Sequence, residues 1–368
     1  MTFNPTRNPE AVNSHYDIAN THSNAGRFAE AEREYRLVIA RDPGHAEAHY
    51  RLGLSLQDQR RFAEAAASYR NALSLHKGHA RAHNNLGAVL QMQELLPEAM
   101  VCFKNAVDLA PKFDEPYLNL GRLQAGAGDL MSAAQTYKRA IELCIEPEMF
   151  RHLLDALEGV KSDRAPVEFT RTAYDHFADS FDERVLVGLD YRIPKILGDR
   201  INEKLQSQEL RVLDLGCGTG LCASHINARH IIGVDVSAGM LAKARQRGLY
   251  DELVECDIVE YVAKAPSGCF DAVLAADVFI CLGDLSEIFR EVARVMSAGG
   301  MFGLSIETTS APGPDYLLQS NGHFAQSHSY ISRIAGENGL EIAESFPEQI
   351  RSGHGHNAPG HVFILQKS

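Results

Sequence analysis

Three glycines at every second position, Gly216, Gly218 and Gly220, stand in the stretch VLDLGCGTG, directly after an apolar run that delivers Asp214. Glycines so spaced allow a tight turn and let a ligand approach the backbone closely. A second acid, Asp235, ends the next apolar run, IIGVDVS, 21 residues after Asp214. A carboxylate at that place can accept hydrogen bonds from both hydroxyls of a ribose. A helix following the glycines would point its free N–H groups at a negatively charged part of the same ligand. The chemistry implied is the binding of a nucleoside-bearing cofactor.

Two cofactor classes share this plan. Dinucleotide enzymes favour G-x-G-x-x-G, whereas here G-C-G-T-G, with Cys217 inside the loop, follows an Asp and a Leu. The pattern resembles the first motif of class I S-adenosylmethionine-dependent methyltransferases, and further stretches carry the likeness across about 169–368. VDVSAGML resembles the segment after that family's second strand, which implies that Val236, Ser237 and Met240 border the adenosine. ECDIVEYV implies Asp257 at the adenine amino group with Ile258 against the ring, and FDAVLAADVF implies Asp277 beside the methyl donor. ARVMSAGGMFGLSIE looks like the helix, Gly-Gly turn and fifth strand of that fold. For such a cofactor Asp214 is suited to the ammonium of the methionine part, held directly or through water. A closer likeness is to a bacterial family of predicted methyltransferases with tetratricopeptide repeats, carried by YDHFADSFDERVLVGLDYRIPKIL, AADVFICLGDL, GHFAQSHSYI and APGHVFILQK.

Other residues offer acceptor chemistry. A base is needed only where the nucleophile must lose a proton, and His323 and His361 are the candidate catalytic bases, with Glu307 and Arg351 as further pocket residues. The His-rich tail also holds His328, His354 and His356, but no element fixes a ligand spacing, so no metal site is expected. Aromatic residues recur in 169–200, and the resemblance implies a lid over the cofactor with Tyr174 and Tyr191 as its candidates. The place after the fourth strand reads ADVFICLGD rather than the Asn/Asp-Pro-Pro-Tyr loop of many amino-group methyltransferases, which leans towards an oxygen acceptor.

The elements that must position these residues alternate. Strands are expected at Arg211–Leu215, His230–Asp235, Leu253–Cys256, Phe270–Ala275 and Met301–Ile306, with helices between them, which predicts a parallel doubly wound sheet. Two last apolar segments, Glu341–Ile350 and His361–Lys367, are separated by a short irregular stretch, too short for a parallel crossover. They are expected as an antiparallel edge hairpin. The whole is an α/β, Rossmann-like, mostly parallel seven-stranded sheet.

Ahead of it lies a repeat. Leu52-Gly53, Leu86-Gly87 and Leu120-Gly121 recur every 34 residues, with Ile18-Ala19 one period earlier. The same interval links Phe28, Phe62, Leu96 and Leu130, then Ala31, Ala65, Ala99 and Ala133, then Tyr35, Tyr69, Phe103 and Tyr137. Each unit suits two amphipathic helices that bury their faces only by stacking. The pattern resembles the tetratricopeptide repeat: four repeats over about 11–146 and a capping helix near Pro147–Gly159, giving an all-α solenoid over 1–160, a linker at 161–168 (KSDRAPVE) and the α/β domain at 169–368. Such a stack presents a groove for a protein or peptide. Asn85 and Asn119, one period apart, are the candidate partner-binding residues, an asparagine ladder filled at two of four places with Asp17 and Arg51 at the others.

Composition bounds the rest. With 368 residues, 45% hydrophobic and 23% charged, the chain is an ordinary globular one of two domains. Residues 1–160 carry 17 Lys and Arg against 20 Asp and Glu, and the remainder 19 against 28, so −3 and −9 make up the net −12. The acidic second half argues against a nucleic-acid substrate. No apolar run approaches a membrane span and MTFNPTRNPE lacks a secretory pattern, so the cytoplasm is expected, with seven scattered cysteines as reduced thiols. Three readings stand: a methyltransferase whose repeats recruit a protein or peptide, a scaffold whose cofactor domain is inactive, and a nicotinamide oxidoreductase, against which the glycine spacing speaks. Self-association through the repeats is left open.

Overall fold

In a computed structural model the described residues are 9–368 except 180, 183–184, 187–189, 207–208, 309–312 and 354–355. Contacts divide the chain into two compact units, Met1–Leu154 and Asp155–Ser368.

The first unit is a run of antiparallel helix pairs: α1 (Pro9–Asn24) with α2 (Phe28–Arg41), α3 (Ala46–Asp58) with α4 (Phe62–Leu75), α5 (Ala80–Met92) with α6 (Leu96–Leu109), and α7 (Asp114–Gly126) with α8 (Leu130–Glu142). A further helix, α9 (Pro147–Glu158), comes after them. The repeat columns explain the packing. A side chain on Gly53 would strike the Tyr69 ring at 2.5 Å and one on Gly87 the Phe103 ring at 2.6 Å, and Gly121 meets Tyr137 in the same way. The Leu-Gly step thus gives up a side chain so that the aromatic residue of the second helix can lie against the first, and Tyr69, Phe103 and Tyr137 are fully buried there. His45 and His79 cap α3 and α5, each accepting from a backbone N–H three residues on, at 3.1 and 3.2 Å.

The second unit is a three-layer α/β fold. After α10 (Val167–Phe177) and α11 (Ile193–Leu205) come β1 (Arg211–Leu215), β2 (His230–Asp235), α12 (Ala238–Arg247), β3 (Glu252–Glu255), α13 (Ile258–Lys264), β4 (Phe270–Ala275), α14 (Ser286–Val295), β5 (Met296–Glu307), β6 (Tyr316–Leu318), β7 (Phe324–Gln326), α15 (His328–Glu337), β8 (Leu340–Gly353) and β9 (His356–Lys367). The seven-stranded sheet has the order β3-β2-β1-β4-β5-β9-β8. Its first five strands are parallel, and β9 runs antiparallel to both β5 and β8. Alternation along the strands divides the core: Leu213, Val273, Phe302 and Phe363 face α13, α14 and α15, while Val212, Leu274, Met301 and Ile364 face α11. The expected edge hairpin is therefore present. Its strands pair further than periodicity indicates, with Arg351 opposite Ala358 and Gly353 opposite His356. The small antiparallel pair β6-β7 has no counterpart in the sequence reading, because three-residue strands carry no readable period.

Segment 161–168 is not a free spacer. Arg164 forms an antiparallel bridge with Leu282, Ala165 N–H donates to Cys281 C=O, and Asp163 C=O accepts from Gly283 and Asp284 N–H. The strap belongs to the second unit.

Candidate functional site

The strand order reverses between β1 and β4, and in an open parallel sheet ligands bind beyond the carboxyl ends of the strands at such a point. The glycine loop lies there. Gly216, Gly218 and Gly220 take φ of +62°, +54° and +90°, conformations that a side chain resists. A side chain on Gly216 would strike Val278 at 2.6 Å and one on Gly220 Tyr250 at 2.9 Å, whereas the corresponding space at Gly218 is open. Gly218 is thus where a ligand can lie on bare backbone.

The two acids stand near the carboxyl ends of β1 and β2. Asp214 is 1% exposed, and its Oδ2 accepts from the Tyr250 hydroxyl at 2.6 Å. Its Oδ1 is buried with no conventional donor, the Cys222 thiol being its other neighbour. Burial pushes this carboxyl up to about 7, against the pull of the tyrosine. A cation placed beside Oδ1 would reverse that cost. Asp235 is 8% exposed; its Oδ2 accepts from Gly218 N–H at 2.8 Å and its Oδ1 from Ser237 N–H at 2.9 Å. Burial raises its pKa as well, opposed by those amides. A carboxylate has about four lone-pair positions, so two remain for ribose hydroxyls.

The expected helix after the loop is absent. Leu221 leads only into a single 3₁₀ turn, Cys222–Ser224, and three loop amides are spent internally: Cys217 on Val234 C=O, Gly218 on Asp235 and Gly220 on Cys217 C=O. No α-helix N-terminus therefore follows the loop to meet the anionic end of a ligand. Cys217 and Cys222 are buried, and burial holds both thiols well above the usual range, so neither is a nucleophile at neutral pH.

The remaining expected cofactor residues lie at neighbouring strand ends. Met240 is buried in the first turn of α12, which Ser237 Oγ caps through Met240 N–H at 3.0 Å. Val236 C=O accepts from Arg171 Nε at 3.2 Å. Asp257 comes just after β3 and caps α13 through Val259 and Glu260 N–H, at 3.1 and 3.3 Å, while Ile258 is buried behind it. Asp277, just past β4, adopts φ of +58° and donates its N–H to Ser305 Oγ at 2.9 Å.

Of the two lid tyrosines, Tyr174 lies on half-exposed α10 with its ring 6.3 Å from that of Phe181. Tyr191 does not serve as a lid: it is buried in the core layer with Ile193, Leu197 and Val212. The docking of this segment falls to polar residues that periodicity could not reveal. Asp175 Oδ1 accepts from Ser237 Oγ at 2.6 Å and Gly239 N–H at 2.8 Å, and the Asp182 carboxylate accepts from Thr219 Oγ1 and Arg247.

The candidate bases do not form one site. His323 Nδ1 lies 3.2 Å from Oε1 of Glu307, a residue 5% exposed at the end of β5, whose Oε2 accepts from Gln319 Nε2 at 2.8 Å. His361 pairs with Ile306, so alternation puts it on the α15 face and Glu307 on the other. Its ring packs 4.8 Å from His328 and 5.0 Å from Phe363, and burial lowers its pKa. That makes it a packing residue of the sheet, not a partner of His323. The side chains of Arg351 and His356, and the whole of His354, lie outside the described residues. Among the described residues no group of three or more His, Cys, Asp or Glu is arranged to hold a metal ion.

In the repeat unit Asn119 Nδ2 donates to Asn84 Oδ1 at 3.1 Å, Asn84 Nδ2 to Glu115 Oε2 at 3.0 Å, and Asn85 Nδ2 to the Tyr50 hydroxyl at 3.4 Å. The two ladder residues are joined into one polar network through Asn84, which the 34-residue column does not contain.

Comparison with known proteins gives the two parts separate relatives. The profile of a methyltransferase-domain family matches residues 213–304, and that of the tetratricopeptide repeat matches 16–56 and 50–112. Human "Methyltransferase-like protein 27" is 38% identical over 106 residues, 27% of this chain and 43% of that one. A "Malonyl-[acyl-carrier protein] O-methyltransferase" of Legionella pneumophila is 30% identical over 193 residues, 48% of this chain and 63% of that one. The chain thus spans about half the length of these relatives. Among solved structures, Burkholderia thailandensis 1,6-didemethyltoxoflavin-N1-methyltransferase, with bound S-adenosylhomocysteine, has a TM-score of 0.44 at 16% identity, covering 56% of this chain and 92% of that one. The glycine loop of the second unit thus falls within the part that matches a methyltransferase-domain family, and helices α2 to α6 of the first unit within the part that matches tetratricopeptide repeats.

Proposed function

We propose that the protein is an S-adenosylmethionine-dependent methyltransferase whose repeat unit recruits a protein or peptide that is, or presents, the acceptor. The observation that carries this reading is the open space over Gly218, whose N–H is held by the buried Asp235 carboxylate. When bound, S-adenosylmethionine supplies a methyl group on a positively charged sulfur. Asp235 holds the ribose, Asp214 faces the ammonium with its buried Oδ1, and Asp257 with Ile258 forms the adenine end. Methyl transfer needs alignment above all. His323, oriented by Glu307, stands ready to take the acceptor's proton, which favours a hydroxyl acceptor. Asn85 and Asn119 belong to the groove network that meets the partner. No helix among the described residues is long and apolar enough to cross a membrane, and the seven free thiols suit a reducing cytoplasm.

Calorimetric titration of the purified chain with S-adenosylmethionine, S-adenosylhomocysteine and NAD tests the cofactor. Micromolar binding of the first two alone is expected, and binding of NAD alone overturns the reading. Proteins captured by the repeat unit then serve as acceptors in an assay with labelled methyl donor. Cofactor binding without turnover of any captured protein would favour the scaffold reading.

A further inference from the structure

The strap at 161–168 reaches the cofactor end of the site. Arg164 Nη2 donates to Asp257 Oδ2 at 2.6 Å, across 93 residues of sequence. Asp257 Oδ1 is already fixed by capping α13, so the carboxylate is clamped at both oxygens. The strap backbone cannot drift from this position. Arg164 is bridged to Leu282, Ala165 N–H is held by Cys281 C=O, and the Asp163 carboxylate accepts from the Tyr316 hydroxyl. The arginine is 42% exposed and the acid 17%, and pairs this exposed add little to folding stability. What the pair does add is a fixed carboxylate plane beyond the end of β3, two strands from the glycine loop.

We infer that Arg164 is a positioning residue for the adenine subsite, supplied by the strap that joins the repeats to the methyltransferase domain. It holds Asp257 so that a remaining lone pair meets the exocyclic amine of adenine, and so it sets the preference for adenine over a base with a carbonyl at that place. The inference rests on the cofactor reading above. It also makes the strap part of the site, although strap and site are far apart in sequence.

The test compares S-adenosylhomocysteine with S-inosylhomocysteine, which carries a carbonyl where adenine carries the amine, by calorimetry on the full chain. Losing the orientation of one charged hydrogen bond corresponds to about a tenfold effect. Arg164→Ala is expected to weaken S-adenosylhomocysteine about tenfold, to change the inosyl ligand little, and so to collapse the preference, with Arg164→Lys between the two. Asp163→Ala loosens the strap elsewhere and is expected to keep the preference. Unchanged affinity in Arg164→Ala, tighter binding, or equal loss of both ligands would each overturn the inference. Failure of the wild-type chain to bind S-adenosylhomocysteine would overturn the cofactor reading and this inference with it, whereas binding that ignores Arg164 overturns the inference alone.

Discussion

The repeat unit and the α/β unit reach burial by opposite routes. In the first, one local rule is applied again and again: a Leu-Gly step on one helix accepts an aromatic ring from the next, so Gly53, Gly87 and Gly121 meet Tyr69, Phe103 and Tyr137 at the same 16-residue offset. In the second, no rule repeats. Arg211 grips Asp271 through two nitrogens at 3.0 and 2.8 Å across 60 residues, Tyr250 supports Asp214 across 36, and Arg164 reaches Asp257 across 93. A unit of the first kind spreads its stability along a stack of near-neighbour contacts. One of the second kind concentrates cost at a single place, the buried carboxyls Asp214 and Asp235 near the glycine loop.

That difference can be broken experimentally, beginning with the largest effect. Phe103→Ala removes a fully buried ring and is expected to cost about 3–5 kcal/mol. In differential scanning calorimetry the loss should fall on the repeat transition, with S-adenosylhomocysteine binding retained; a loss of binding would mean that the units are coupled.

Asp214 gives the converse test. Its folded pKa of about 7 lies above that of an unfolded aspartate, about 3.8, because burial disfavours the charge. The folded state therefore keeps a proton that the unfolded state has lost, and the carboxyl's contribution to stability falls as pH rises from about 4 to about 7. Asp214→Asn should remove that slope, gaining up to about 4 kcal/mol on the wild type by pH 8, as read by urea unfolding across pH. Parallel curves for the two proteins would refute the buried-charge account. Because a bound cation favours the ionised carboxyl, cofactor affinity should instead rise with pH through this window.

Gly218→Val fills the open space and forces a branched side chain to a φ of +54°. At least a hundredfold loss of S-adenosylhomocysteine affinity is expected, about 3 kcal/mol, with the repeat transition unmoved. Retained binding would show that the ligand lies elsewhere. The smallest effect is that of Asp235→Ala, about 1–3 kcal/mol of cofactor affinity from lost ribose hydrogen bonds; equal affinities in calorimetry would remove Asp235 from the site.

Much of the molecule is legible in the sequence, for identifiable reasons. The helix pairs, the five parallel strands and the edge hairpin arise from periods of 3.6 and 2 residues, which burial imposes on helices and strands, and from the 34-residue period of the stacked units. The acids Asp214 and Asp235 are legible because both stand at strand ends, where a broken apolar run announces a polar residue. The helix expected after the glycine loop fails because VLDLGCGTG specifies the turn and leaves the backbone beyond Leu221 unspecified. Tyr191 reads as a lid because an aromatic residue at helical spacing looks the same whether it covers a ligand or a sheet. His361 reads as a base because strand parity, which sets its face, depends on its pairing with Ile306.

The sequence by itself determined much of the local geometry: the paired helices and their 34-residue repeat, the five parallel strands, the edge hairpin, and a glycine loop that bares its backbone between two acids in the chain. These depend on neighbours within a few residues or on a fixed period, and a side chain's type is enough to state them. Only the tertiary structure decided which polar groups meet. Arg164 on Asp257, Asp175 on Ser237 and Glu307 on His323 are pairings between distant segments, each one charge or hydrogen bond among many the composition allows. Such groups carry no period, and their partners are chosen by the packing of the apolar layers beneath them.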